Sequence, residues 1–108
     1  MIRLLHAADF HLDSAFSALP AALASRRRQE QRLALQALAA LCREKQCDAV
    51  LLAGDLFDSA RIYRDTLDAL RDFCQTCGAE VYIAAGNHDH LCPGSPYLTE
   101  QWPENVHL

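Results

Sequence analysis

Three short polar motifs stand out in the sequence because each directly follows a run of apolar residues. They are Asp-x-His at residues 9–11, Gly-Asp-x-x-Asp at 54–58 and Gly-Asn-His-Asp at 86–89. Their carboxylates, imidazoles and one amide are ligands for divalent metals such as Mn²⁺, Fe²⁺ or Zn²⁺. Each motif alone also fits a turn or a helix cap. Their joint occurrence in this order favours a metal site.

The apolar runs before the motifs are predicted to be buried strands. They span residues 2–8, 50–53 and 81–85 and are short, as buried strands of parallel sheets are. Apolar residues recur at helical spacing in the two intervening segments. The first segment is marked by Ala34, Leu38, Leu41 and Cys42; the second by Tyr63, Leu67, Leu70, Cys74 and Cys77, with Gly78 as its C-cap. The predicted fold class is α/β, a parallel β-α-β-α-β sheet with right-handed crossovers and helices packed on it.

The carboxyl ends of parallel strands meet at one edge of a sheet, where open α/β proteins bind ligands. We therefore expect the three motifs to lie together there. Further along, residues 92–96 are predicted to be a loop, Pro103 to break any helix, and residues 105–108 to begin a fourth strand. A chain that stops at the opening of a strand is expected to be a fragment of something longer.

In this order, the motifs resemble the first three motifs of the calcineurin-like metallophosphoesterases. Residues 6–14 and 54–58 are most similar to the DNA-repair exonuclease branch, the SbcD-type nuclease subunits. The resemblance covers residues 2 to 90. It implies that residues 1–108 are the N-terminal part of the catalytic domain, the first half of a metallophosphoesterase sandwich.

The resemblance also implies a site for two divalent metal ions, of which Mn²⁺ is expected and Fe²⁺ or Zn²⁺ are alternatives. Asp9 and His11 would bind the first metal and Asp55 would bridge both. Asn87 would bind the second metal, and His88 would be the catalytic acid.

Asp58 and Asp89 would orient the ligands or the catalytic imidazole. Full-length relatives carry three further histidines in their second half, which complete both metal shells. His90, expected in a loop, and His107, expected in a strand, do not replace them. The half-site is therefore expected to bind metal weakly and to turn over slowly, if at all.

The implied function is two-metal phosphodiester hydrolysis by a DNA-repair exonuclease, with DNA as substrate and an ATPase subunit as partner. A phosphoesterase acting on a small molecule or a phosphoprotein is the first alternative. A non-catalytic metal- or partner-binding half-domain is the second, and such a half-domain would be prone to self-association through its unpaired sheet.

Composition limits these functions. The 108 residues are 51% hydrophobic with a net charge of −4, so the chain has no overall basic footprint for nucleic acid. Five cysteines without an export signal indicate free thiols and a cytoplasmic protein. No apolar run is long enough for a membrane helix.

Three other features have structural explanations that we favour. Residues 26–28 are arginines, expected on the solvated face of a helix that begins near Pro20; contact with a substrate phosphate is the alternative. Cys74 and Cys77 are expected in the core with Cys42; a four-cysteine zinc site that includes Cys47 is the alternative. The aromatic residues of the strand regions, Phe10, Phe57 and Tyr82, are expected in the core.

Overall fold

The computed structural model describes residues 1–13, 16, 18–54, 56–57, 62–86 and 95–108. The elements of these ranges are, in order, β1 (Leu4–Ala7), α1 (Ala21–Glu44), β2 (Ala49–Ala53), α2 (Arg64–Thr76), β3 (Glu80–Ala84), α3 (Pro96–Thr99) and β4 (Val106–His107). The predicted order of strands and helices is confirmed.

The strands form one sheet in the order β1-β2-β3-β4, and each neighbouring pair is parallel. The register places four residues in one row across the sheet, namely His6, Leu51, Tyr82 and His107. The α/β fold and the fourth strand are thus both as predicted.

Both long helices begin and end where the sequence indicates. Pro20 precedes α1, and its φ of −56° suits the start of a helix, although its side chain makes no capping hydrogen bond. Gly78 follows α2 with φ +75°, a left-handed conformation that glycine adopts without strain.

The core lies between one face of the sheet and the two long helices. The sheet contributes Val50, Leu52, Val81 and Ile83, all at most 5% exposed. They pack with residues of α1 and α2, among them Leu35, Ala39, Leu70 and Phe73.

The opposite face of the sheet is open, which corrects the prediction of fully buried strands. Leu4 is 57% exposed and Tyr82 is 46% exposed. Strands paired in sequence order with right-handed crossovers place both connecting helices on the same face, so within the described residues neither long helix covers the other. Tyr82 is therefore not a core residue as expected; it stacks on His107 with ring centroids 4.8 Å apart. Phe57 is fully buried as predicted.

Side-chain amides and indoles fasten the last segment to this framework. Asn105 donates from Nδ2 to the carbonyls of Cys74 and Ala79, at 2.8 Å each, and so joins β4 to the end of α2. Trp102 Nε1 donates to Tyr97 O at 3.1 Å.

Candidate metal centre

The ends of β1, β2 and β3 meet at one edge of the sheet through backbone hydrogen bonds. Asp9 N donates to Gly54 O at 3.2 Å, and Gly54 N donates to Ala84 O at 2.8 Å. A Cβ built on Gly54 would lie 3.7 Å from the Cα of Gly86. The structure thus brings together the backbone at the start of all three motifs.

Asp9 is exposed and His11 is half-buried at this edge. Five other residues singled out in the sequence, Asp55, Asp58, Asn87, His88 and Asp89, lie outside the described residues, as does His90. Their roles stay predictions. The carbonyls on either side of position 55 are described, and they accept from Asp9 N and, for Leu56 O, from Leu12 N at 2.8 Å.

The loop that carries Asp9 and His11 has an unusual backbone. Asp9, His11 and Asp13 have φ values of 56°, 48° and 62°, so left-handed residues alternate with ordinary ones. Each left-handed residue costs about 1 kcal/mol or more outside glycine, although Asp and His tolerate this region better than most. Surrounding contacts must therefore hold the loop in place.

Asp13 anchors the end of this loop. Its side chain is 2% exposed. Oδ1 accepts from the Thr66 hydroxyl at 2.7 Å and from Arg32 at 3.4 Å, and Oδ2 accepts from Tyr63 N at 2.8 Å. These bonds tie the loop to α1 and to the start of α2. Asp13 is thus fully engaged as a structural acceptor.

Gln31 of α1 holds the middle of the loop. Its Nε2 donates to Phe10 O at 3.2 Å and to His11 O at 3.1 Å. Sequence reasoning missed Gln31 and the anchoring role of Asp13. A signal existed for Gln31, because it lies four residues before buried Leu35 and seven after buried Ala24, on the inward face of the helix.

The arginines of α1 follow the expected pattern in part. Arg27 pairs with Glu30 at 2.8 Å on the exposed face, as predicted. Arg28 and Arg32 instead lie over the ring of Tyr63, with guanidinium carbons 5.4 and 5.8 Å from its centroid. Cation–π contacts of this kind are favourable and help to hold α1 beside the start of α2.

The cysteines lie away from this edge, at the C-terminal ends of the helices. Cys42, Cys74 and Cys77 are at most 1% exposed, as predicted for core residues. Burial raises the pKa of the Cys42 thiol to about 12, and the neighbouring Cys47 and Cys77 raise it further. Burial also raises the pKa of Cys74 to about 12, with a smaller contribution from Cys77. Such thiols stay protonated at neutral pH.

Within the described part of the chain, no three His, Cys, Asp or Glu side chains are grouped so that they could hold a metal ion. All four cysteines of the zinc alternative are described, so the structure does not support that site. At the strand ends, Asp9 and His11 supply an oxygen and an imidazole donor. This donor chemistry fits Mn²⁺, Fe²⁺ or Zn²⁺.

Comparison with known proteins identifies the family. The family model for calcineurin-like phosphoesterases matches residues 2–107. The chain belongs to this family. A calcineurin-like phosphoesterase is also what the strand-end motifs predicted, and the family uses divalent metal ions.

Two relatives from Bacillus subtilis (strain 168) match along nearly the whole chain. The uncharacterized metallophosphoesterase YhaO is 39% identical over 110 residues, which cover 96% of this chain and 26% of the relative. The SbcD component of the nuclease SbcCD is 30% identical over 117 residues, 99% of this chain and 27% of the relative. The chain thus spans about a quarter of the length of these relatives. Among the helices of the described ranges, none is long and apolar enough to cross a bilayer.

Proposed function

We propose that this chain supplies the first metal ligands of a phosphodiesterase that acts on DNA ends. Asp9 and His11 would hold one divalent metal, Asp55 would bridge it to a second, and Asn87 would bind the second; Mn²⁺ is the expected ion. The observation that carries the proposal is the meeting of the three strand ends through Asp9, Gly54 and the Gly86 backbone.

Divalent cations at such a site neutralise the charge on a phosphate and lower the pKa of an attacking water. The chain's own contribution is to place an imidazole beside the departing oxygen. His88 follows the third strand end directly in sequence and would donate the proton there, as a general acid.

The choice of DNA is supported by the relative named as part of a nuclease, which is 30% identical to this chain. Its printed name also makes it one component of a larger nuclease, so we propose a partner subunit, an ATPase, for the complete protein. The net charge of −4 is the observation that favours the alternative substrate, a small phosphoester or a phosphoprotein.

The test is Mn²⁺-dependent hydrolysis by the complete protein that its own gene encodes. An activated aryl phosphodiester and a DNA oligonucleotide would both be offered. We expect Asp55→Asn to abolish turnover and to weaken Mn²⁺ binding. His88→Ala should lower kcat by about 10²-fold or more without changing Mn²⁺ binding, because a general acid contributes to the chemical step alone.

Asp48→Asn is the matched control, since this exposed carboxylate lies at the start of β2, at the opposite edge of the sheet. Hydrolysis of the aryl diester without cleavage of DNA would favour the alternative substrates. Mn²⁺ binding without any turnover would contradict catalysis and leave a metal-binding half-domain. Self-association of the 108-residue chain stays a prediction.

A further inference from the structure

The loop between β1 and α1 depends on contacts from outside itself to keep its conformation. Left-handed backbone at Asp9, His11 and Asp13 alternates with ordinary backbone, and a short free loop would relax from such an arrangement. Asp13 holds the end of the loop and Asp9 N holds its start, at Gly54 O. His11, the imidazole donor, lies between these two anchors.

The peptide planes on both sides of His11 are fixed by Gln31. One amide group, Gln31 Nε2, donates to the carbonyl of Phe10 and to the carbonyl of His11. The second of these peptides is also held on its other side, where Leu12 N donates to Leu56 O. Fixing the planes that flank a Cα fixes its φ and ψ, and therefore the direction of its Cα–Cβ bond.

A purely structural role does not explain why this position carries an amide. Gln31 lies on the inward face of α1, and its Oε1 is buried without a hydrogen-bond partner among the described residues. A buried acceptor without a partner is destabilising, so an apolar residue of the same length would serve the core at least as well. The amide is therefore kept for what its Nε2 does to the loop.

We propose that Gln31 is a positioning residue, whose amide directs the His11 side chain for metal binding. This inference rests on the proposed function, since it assigns the direction of one of that site's ligands. Partners that orient a metal-binding histidine act through the ligand rather than on the metal, and they influence metal affinity strongly.

Gln31→Met tests the proposal, because it keeps the length of the side chain and removes both donated hydrogen bonds. Gln36→Met is the matched control, an exposed glutamine on the same helix. Mn²⁺ affinity would be measured on the complete protein from the electron paramagnetic resonance signal of free Mn²⁺, and thermal stability would be measured without metal. We expect Gln31→Met to weaken Mn²⁺ binding by roughly 10–100-fold. The metal-free melting temperature should stay close to that of the wild type, and the control should change neither quantity.

A folded Gln31→Met protein that binds Mn²⁺ within about twofold of the wild type would overturn the inference. His11→Ala, measured in parallel, separates the two hypotheses. If His11→Ala also leaves Mn²⁺ binding unchanged, the proposed metal site itself fails. Should Gln31→Met not fold, Gln31→Glu provides the second variant, since it sets a carboxylate against two carbonyl oxygens at the same length. Weaker Mn²⁺ binding by that variant is the expected result, and unchanged binding contradicts the proposal.

Discussion

At the scale of single residues, Asp13 has a different task from the aspartate two positions before His11. Both residues belong to one polar run, and by type either could bind a metal. Asp13 is buried and accepts hydrogen bonds from Arg32, Thr66 and the backbone of Tyr63. Asp9 is exposed at the strand ends and keeps its carboxylate at the surface.

Asp13→Ala is expected to lower the free energy of unfolding by about 3 kcal/mol, because it leaves the mostly buried Arg32 without its carboxylate. Urea denaturation would measure the change. Asp48→Ala serves as the control, since Asp48 also accepts from a distant backbone group, Arg3 N at 2.8 Å, but is exposed. The control should cost about 1 kcal/mol at most. Equal effects of the two substitutions would show that Asp13 is no special anchor.

At the scale of elements, the two faces of each strand have different surroundings. In β3, Ile83 packs against the helices and is 5% exposed, whereas its neighbour Tyr82 points to the open face. The open face carries a shallow cavity of about 380 Å³ whose lining includes Leu51, Tyr82 and Leu108. Stability should therefore depend on the inner positions far more than on the outer ones.

Substitution of neighbours in β3 measures this difference. Ile83→Ala should lower the free energy of unfolding by about 2–4 kcal/mol, because it opens a cavity between the sheet and the helices. Tyr82→Ala should lower it by about 1 kcal/mol or less, since the substitution loses the stacking on His107 and little burial. Chemical denaturation of both variants in the 108-residue chain provides the comparison. A larger loss for Tyr82→Ala would mean that the open face is covered in solution.

At the scale of the whole molecule, the sheet separates two environments. Its carboxyl edge gathers the polar motifs, and its other end carries the buried thiols of Cys42, Cys74 and Cys77 behind the helix ends. Burial raises the pKa values of Cys42 and Cys74 to about 12. These thiols therefore link the stability of the fold to alkaline pH.

The sign of this linkage follows from proton binding. Below pH 9.0, the ordinary thiol pKa, both the folded and the unfolded chain keep these protons, and stability is unaffected by them. Between pH 9.0 and about 12 the unfolded chain loses protons that the folded chain retains, so stability falls as the pH rises. Melting temperatures measured across this range should decline less steeply for Cys74→Ala than for the wild type. Parallel declines would contradict the raised pKa of Cys74.

The sequence alone determined the order of the elements and the place of the motifs. Apolar periodicity, Pro20 and Gly78 are local signals, and the backbone responds to them through neighbouring residues only. The same holds for the three motifs: each follows its own strand, so a parallel sheet necessarily brings their first residues to one edge. For this reason Asp9 and His11 were found as candidates without coordinates.

Only the tertiary structure decided which side of the sheet is covered and which side chains hold the loop. Tyr82 and Ile83 are neighbours of similar hydrophobic character, and the strand order with one-sided helices sets their opposite burial. Gln31 and Asp13 act on partners about 20 and 50 residues away in the chain. Such contacts depend on how α1 and α2 pack together, and no local pattern encodes that packing.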